Sequence, residues 1–223
     1  NYEKPACHIC ISMECPKSED ASVAASVERF IAELPKDGTF GEISEGKIDK
    51  MATAYVDSYV TKYLKEGHDA IDSYGEEMSA AATWMSYEEM VEGKTIYNAD
   101  GFICYQVRIS SYTGGAHGNT NVVNGVLDMK NGTPLCLADL FSEASLSDLN
   151  NLVRMVLVEQ NECESIEELI SKEIFFSVND IEVTENFYVN EAGITWLYDP
   201  YDIAPYVVGE VSVTLPWDKV YPL

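Results

Sequence analysis

The residues best placed to do chemistry gather in one glycine-dense stretch, Tyr112-Thr113-Gly114-Gly115-Ala116-His117-Gly118-Asn119. Glycine tolerates positive φ and lets backbone approach where a Cβ would obstruct. Three glycines in five residues therefore describe a fixed loop, not a slack linker. His117 sits inside it, and two readings compete. In one, the ring hydrogen-bonds backbone groups that an irregular loop cannot pair with a neighbouring strand. In the other, it is a recognition or proton-transfer group carried on a rigid scaffold. No acid, base or nucleophile is spaced to join it in a catalytic constellation.

Other reactive groups are scattered. The three histidines, His8, His68 and His117, do not assemble a ligand set by spacing, and no second Cys-x-x-Cys completes the one from Cys7 to Cys10. In a strand Cys7, Ile9, Ile11, Met13 and Cys15 share one face, with His8, Cys10, Ser12 and Glu14 on the other. This parity makes Cys7 and Cys15 core residues and splits any Cys7–Cys10 pair. Cys104 lies in an apolar strand and Cys136 between two leucines, so free, mostly buried thiols are expected, with no metal and no cofactor. Asp100-Gly101 lacks the alternating oxygen ligands of a calcium loop and reads as a turn. No Gly-x-Ser-x-Gly elbow, phosphate-binding glycine loop or His-Glu-x-x-His helix is present, so the chain is not expected to be an enzyme.

A formal charge of −24, from 38 acidic and 14 basic residues, repels phosphate backbones and anionic headgroups. Nucleic acid is excluded as a partner on that ground, and a cationic partner would be attracted. With 46% hydrophobic residues the chain can bury a sizeable core. No apolar run approaches the roughly 18 residues that cross a bilayer. Asn1-Tyr2-Glu3-Lys4-Pro5 lacks the basic-then-apolar form of a signal peptide, so any targeting segment is expected to have been removed.

The elements that must hold the loop read clearly on either side of it. Phe102 to Tyr112 alternates, with Ile103, Tyr105, Val107 and Ile109 on one face, and a second strand is expected over Val122 to Met129. Upstream, the opening strand ends at Pro16. Ser18 or Asp20 caps a helix bearing Val23, Val27, Phe30, Ile31 and Leu34, which Pro35 and Gly38 stop. After a polar loop from Asp37 to Glu45, a second helix begins near Lys47. Ile48, Met51, Tyr55, Tyr59 and Tyr63 form a stripe that packs on a sheet, and Gly67 closes the helix. Weaker strands are expected over Met78 to Tyr87 and Lys94 to Asn98, before a hairpin turn at Asn98-Ala99-Asp100-Gly101.

Downstream, Asn131-Gly132 signals a hairpin, and Asp139-Leu140-Phe141 leaves the sheet. A third helix runs from Leu146 to Gln160 with Leu149, Leu152, Val153 and Val156 inward and Ser145 as its cap. Ser165 caps a short fourth helix that ends near Lys172. Strands follow over Phe187–Val189, Ile194–Tyr198 and Val211–Leu215, with a turn from Asn190 to Gly193. The aromatic segment Asp199 to Tyr206 between the last two packs over a sheet edge or forms part of a binding surface. Trp196, Tyr198, Ile203 and Tyr206 are expected to lock these strands to the body. The order of elements gives an α+β fold, antiparallel sheets with packed helices, in two structural halves of one compact body, residues 1–119 and 120–223.

Three pieces in this order carry a family resemblance: Tyr112 to Asn119, then Leu135-x-Leu137-x-Asp139-Leu140-Phe141, then Tyr198-Asp199-Pro200-Tyr201-Asp202-Ile203-Ala204-Pro205-Tyr206. They resemble the extracytoplasmic domain of RsiV-type anti-sigma factors, bacterial lysozyme receptors, a domain also found beside peptidoglycan deacetylase catalytic domains. The resemblance spans nearly the whole chain. It implies an exported domain, periplasmic or at the cell surface and anchored by a lipid in some settings, that binds a partner protein without catalysis. That partner would be a basic protein such as a lysozyme-like enzyme, and cell-wall glycan is the alternative. The candidate binding residues are Tyr112, Gly114, Gly115, His117, Asn119, Tyr201 and Tyr206. This chain carries no sigma-binding segment and no transmembrane helix, so sigma-factor signalling is not expected of it.

Overall fold

A computed structural model describes residues 5–35, 45–75 and 83–223. All but the last residue of the polar loop expected from Asp37 to Glu45, with the stop at Gly38, and the strand start at Met78 lie outside the described residues. The chain forms two compact units, one of residues 1–94 with 107–121 and the other of 95–106 with 122–223. Helices and sheets together make the α+β class read from the sequence. A five-stranded sheet has the order β1-β2-β3-β4-β5 and a three-stranded sheet the order β6-β7-β8.

In the first unit, β1 (Cys7–Met13) runs parallel to β2 (Tyr87–Ala99), pairing Cys7 with Tyr87 through Met13 with Gly93. This parallel pair makes the five-stranded sheet mixed: parallel neighbours need a crossover, and two helices supply it. Helix α1 (Ala21–Glu33) starts at Asp20, whose carboxylate accepts from the Ser22 and Val23 amides at 2.8 and 3.2 Å. It buries Val27, Phe30 and Ile31, each worth about 1.5–3 kcal/mol by removal from water. Helix α2 (Ile48–Tyr74) packs on α1 and β1. It continues through Gly67 and ends at Gly75, which adopts φ 82°. The glycine expected to stop it lies in mid-helix, where a glycine costs only about 1 kcal/mol of propensity and the flanking turns outweigh it.

Of the strand expected over Met78 to Tyr87, the described part is a 3-10 turn at Thr83–Met85 and only Tyr87 is strand, whereas the segment expected over Lys94 to Asn98 lies within one 13-residue strand, β2, that begins at Tyr87. Alternation survives in its first half, where Tyr87, Glu89, Val91 and Gly93 are buried and Glu88, Met90, Glu92 and Lys94 exposed. The Asp100-Gly101 turn, both residues at positive φ, leads into β3 (Phe102–Tyr112), as its spacing required. Strand β1 ends at Met13, two residues before Cys15, so Cys15 is exposed and not core. Cys10 and Cys136 are exposed too, Cys7 and Cys163 half-buried, and only Cys104 buried. The expectation of mostly buried thiols fails because parity assigns a face only while the strand lasts. All six thiols are free.

Strand β4 (Asn119–Asp128), whose residues from Val122 onward belong to the second unit, turns at Gly132 into β5 (Thr133–Leu135). A one-turn helix α3 (Leu137–Leu140) follows, then α4 (Leu146–Gln160) and α5 (Ile166–Ser171), the latter capped by Ser165 accepting from the Glu168 amide at 3.2 Å. Ser145 does not cap α4. It closes a 3-10 turn capped by Ser142 and donates its hydroxyl to the Leu223 carbonyl at 2.8 Å. Strands β6 (Phe187–Asn190), β7 (Gly193–Tyr198) and β8 (Val211–Pro216) pair antiparallel, and α4 lies on β8. A single helical turn, α6 (Trp217–Val220), follows β8. The core of this unit gathers Leu149, Val153 and Leu157 of α4 against Phe187, Ile194, Trp196, Val213 and Leu215. Every residue of β7 is buried. Among the described residues no helix is long and apolar enough to cross a membrane.

Candidate functional site

In the first unit, β3 ends at Tyr112 and β4 begins at Asn119, so Asn119, expected in the loop, is the first strand residue. Positive φ at Gly114 (85°) and Gly115 (97°) makes the sharp turn. Gly114 packs on the Trp84 backbone, where a Cβ would stand 2.1 Å from the carbonyl oxygen. At Gly118 it would stand 2.9 Å from the Ser111 carbonyl oxygen. Side chains fasten the rest. The Tyr112 hydroxyl donates to the Gly115 carbonyl at 3.0 Å, and the His117 Nδ1–H donates to the Gly118 carbonyl at 2.9 Å. At the loop's base, the Ser110 and Thr120 hydroxyls meet at 3.3 Å. The imidazole is thus exposed while one ring nitrogen holds backbone, which joins features of both sequence readings.

Trp84, in the 3-10 turn before β2, is the residue beside the loop that sequence reasoning missed. Its backbone forms the seat for Gly114, and its side chain is 53% exposed. A tryptophan in a stretch of alanine, serine and threonine was the available signal, but no alternation there gave its direction. A large amphipathic ring in the open beside a rigid loop suits recognition better than folding.

In the second unit, the segment after β7 is built to hold tyrosine outward. Asp202 accepts from the Asp199 amide at 2.8 Å, Tyr201 stands at φ 77°, and its amide donates to the Ala204 carbonyl at 3.2 Å. Ile203 and Ala204 are buried, and the Ile203 carbonyl accepts from the Phe176 amide at 2.9 Å. The Asp199 carboxylate caps the Val122 amide at 2.8 and 3.1 Å, while Asn186 takes the Asn124 amide at 2.8 Å and donates to the Val122 carbonyl at 2.7 Å. Side chains here replace the strand partner that β5 provides only from Val126 onward. The rings of Tyr201 and Tyr206 lie 5.6 Å apart at 32°. Tyr206 is half-buried, so of the four residues expected to lock the closing strands, Trp196, Tyr198 and Ile203 are core and Tyr206 is not.

A buried acid also lies in the first unit. Glu89, on the inner face of β2, accepts from the Tyr55 hydroxyl of α2, and Tyr87 donates to Glu66. Burial pushes the Glu89 carboxyl up, with the Tyr55 hydroxyl and the Lys62 ammonium pulling the other way. Burial first, then the Glu66 carboxylate, pushes Tyr87 up to about 12. Tyr63 meets Tyr87 edge-on at 5.2 Å, and the Tyr59 hydroxyl is buried without a partner among the described residues. The tyrosine stripe of α2 therefore packs on the sheet, as its spacing indicated.

A carboxyl whose folded value lies above its unfolded one binds its proton more tightly when folded. Its charged form then costs stability at high pH, and the cost fades as pH falls. Glu89→Gln, which keeps an acceptor for Tyr55, is expected to melt higher than the parent at neutral and alkaline pH. The gap should close as pH drops toward the ordinary glutamate value of 4.5. Melting curves over that range check it, and a gap independent of pH would refute the assignment.

Residues 138–218 match the family described as a protein of unknown function (DUF3298), and residues 8–120 match the family described as deacetylase PdaC. No curated protein matches the chain. Several solved structures resemble it, two of them of the same family. A DUF3298 family protein from Pseudomonas aeruginosa PAO1 shares 17% identity over 60% of this chain and 61% of its own, with a TM-score of 0.52, a likeness of fold alone. A member of the same family from Bacteroides fragilis NCTC 9343 shares 30% identity over 96% of this chain and 83% of its own, with a TM-score of 0.80. With that identity sustained over nearly its whole length, and with its C-terminal strands and helices matching the family directly, the chain belongs to the DUF3298 family.

Proposed function

We propose that this chain is an extracytoplasmic, non-catalytic binding domain whose partner is a basic protein of the lysozyme type. The observation that carries the reading is an exposed indole and imidazole, Trp84 and His117, with half-buried Tyr112 between strand and loop, at a glycine loop fastened to a sheet, in a chain of charge −24. Rigid loops offer side chains for recognition at little ordering cost, and aromatic residues dominate binding hot spots. The excess of acid steers a cationic partner into encounter. Deacetylase is a word for the family matched by residues 8–120.

Surface plasmon resonance against lysozyme in a salt series tests it. Association is expected to slow as ionic strength passes about 0.1 M, where the screening length is about 10 Å. No binding at low salt removes lysozyme, and binding indifferent to salt removes the steering. A folded His117→Ala variant that binds normally confines the ring to its bond with the Gly118 carbonyl. A weakened one puts the ring in the contact.

The second reading, a module holding cell-wall glycan, is favoured by the Tyr201–Tyr206 ring pair, whose exposed member could stack on a sugar face. Retention on a glycan array, lost in Tyr201→Ala, would select it.

A further inference from the structure

The exposed face of the β1–β2 pair carries soft donors that the binding reading does not use. Strand parity sends His8, Cys10 and Ser12 outward on β1, and Glu88, Met90 and Glu92 outward on β2. The parallel register sets His8 opposite Glu88, Cys10 opposite Met90 and Ser12 opposite Glu92. Cys10 is exposed with a free thiol, and Met90, a residue that ordinarily seeks a core, is 48% exposed. Same-face neighbours on one strand stand about 6.6 Å apart at Cα, and partners on adjacent strands about 4.8 Å. Side chains of the length of His, Cys and Met can close both spans onto one ion.

The geometry points to a surface site for a soft monovalent cation, cuprous or silver, held by the His8 imidazole, the Cys10 thiolate and the Met90 thioether. Thiolate and thioether select copper in its cuprous state over hard ions, and imidazole suits copper as well. A thioether is not among the donors zinc takes, so the Met90 ligand points away from zinc. Glu88, paired with His8 in register, occupies the position from which a carboxylate orients a ligating imidazole. Glu92 beside it and the overall charge of −24 favour a cation at this face. Binding exchanges the thiol proton for the metal: the S–H bond breaks, a sulfur–copper bond forms, and one proton leaves to solvent with no change of oxidation state.

The test uses the full chain, reduced and anaerobic, titrated with cuprous ion against a chromophoric cuprous chelator. One equivalent is expected to stay with the protein. Cys10→Ser should release it, and Met90→Leu should weaken it by at least about tenfold as one of three donors is lost. Cys15→Ser and Cys136→Ser, at the other exposed thiols, should retain it. All four positions are exposed, so circular dichroism should show each variant folded. Silver should compete for the site and zinc should not. Equal retention by Cys10→Ser, an unchanged Met90→Leu, loss in Cys15→Ser or Cys136→Ser, or zinc held as tightly as copper would each overturn the assignment.

Discussion

Trp196→Ala is expected to lower the stability of the second unit by about 3–5 kcal/mol, the range for removing a large aromatic from a packed core. The ring has no solvent exposure, and it lies between Phe141 and Phe187 at 6.5 Å centroid distance from each. It stands on β7, the central strand of its sheet, so the cavity would open among side chains that the strand ladder holds apart. A domain is stable by only about 5–15 kcal/mol, so this one change removes a large share. The indole N–H finds no partner among the described residues. Trp196→Phe therefore forfeits volume but no hydrogen bond, and should cost clearly less. Denaturant unfolding of both variants checks the pair. An unchanged midpoint for the alanine variant would refute the core assignment, and equal losses in the two would refute the role given to the unpaired N–H.

Gly114→Ala should be the most damaging change within the loop, at roughly 2–6 kcal/mol. Two costs combine. A side chain at φ 85° stores about 1–3 kcal/mol of backbone strain, and overpacking against a neighbour adds a similar amount. Here the neighbour is the Trp84 carbonyl oxygen, 2.1 Å from the new methyl, and backbone cannot rotate away as the tip of a side chain can. Gly115→Ala is the control, since it shares the positive φ (97°) with nothing within 4 Å of its Cβ, and should show the strain alone. Thermal melts of the two variants separate the terms, and equal shifts would mean that the close approach to Trp84 is not a constraint. Because the same movement displaces the Trp84 ring, Gly114→Ala should also weaken any partner that Trp84 contacts.

Some of this protein was decided by local sequence. Strand β3 runs from Phe102 to Tyr112 and helix α4 from Leu146 to Gln160 with the bounds that periodicity indicated, because each buries one consistent face and carries its own turn or stop signal. The turn at Asp100-Gly101 and the rigid glycine loop followed from backbone preference alone, since few residues other than glycine tolerate positive φ. The tyrosine stripe of α2 likewise pointed inward in advance.

Tertiary structure decided the rest. Where β1 would end could not be read, so parity carried Cys15 into a core that the strand never reaches. Gly67 looked like a stop, but a helix packed on α1 and β1 gains enough from burial to pass through a single glycine. The parallel pairing of β1 with β2, which sets Cys10 opposite Met90, joins residues far apart in the chain, and no local preference encodes a partner at that range. The seat of Gly114 on Trp84 and the capping of Val122 by Asp199 are contacts of the same kind. Propensity and periodicity report what one segment prefers within a few residues. Which distant segment saturates its hydrogen bonds or fills its cavity is settled only when the chain has packed.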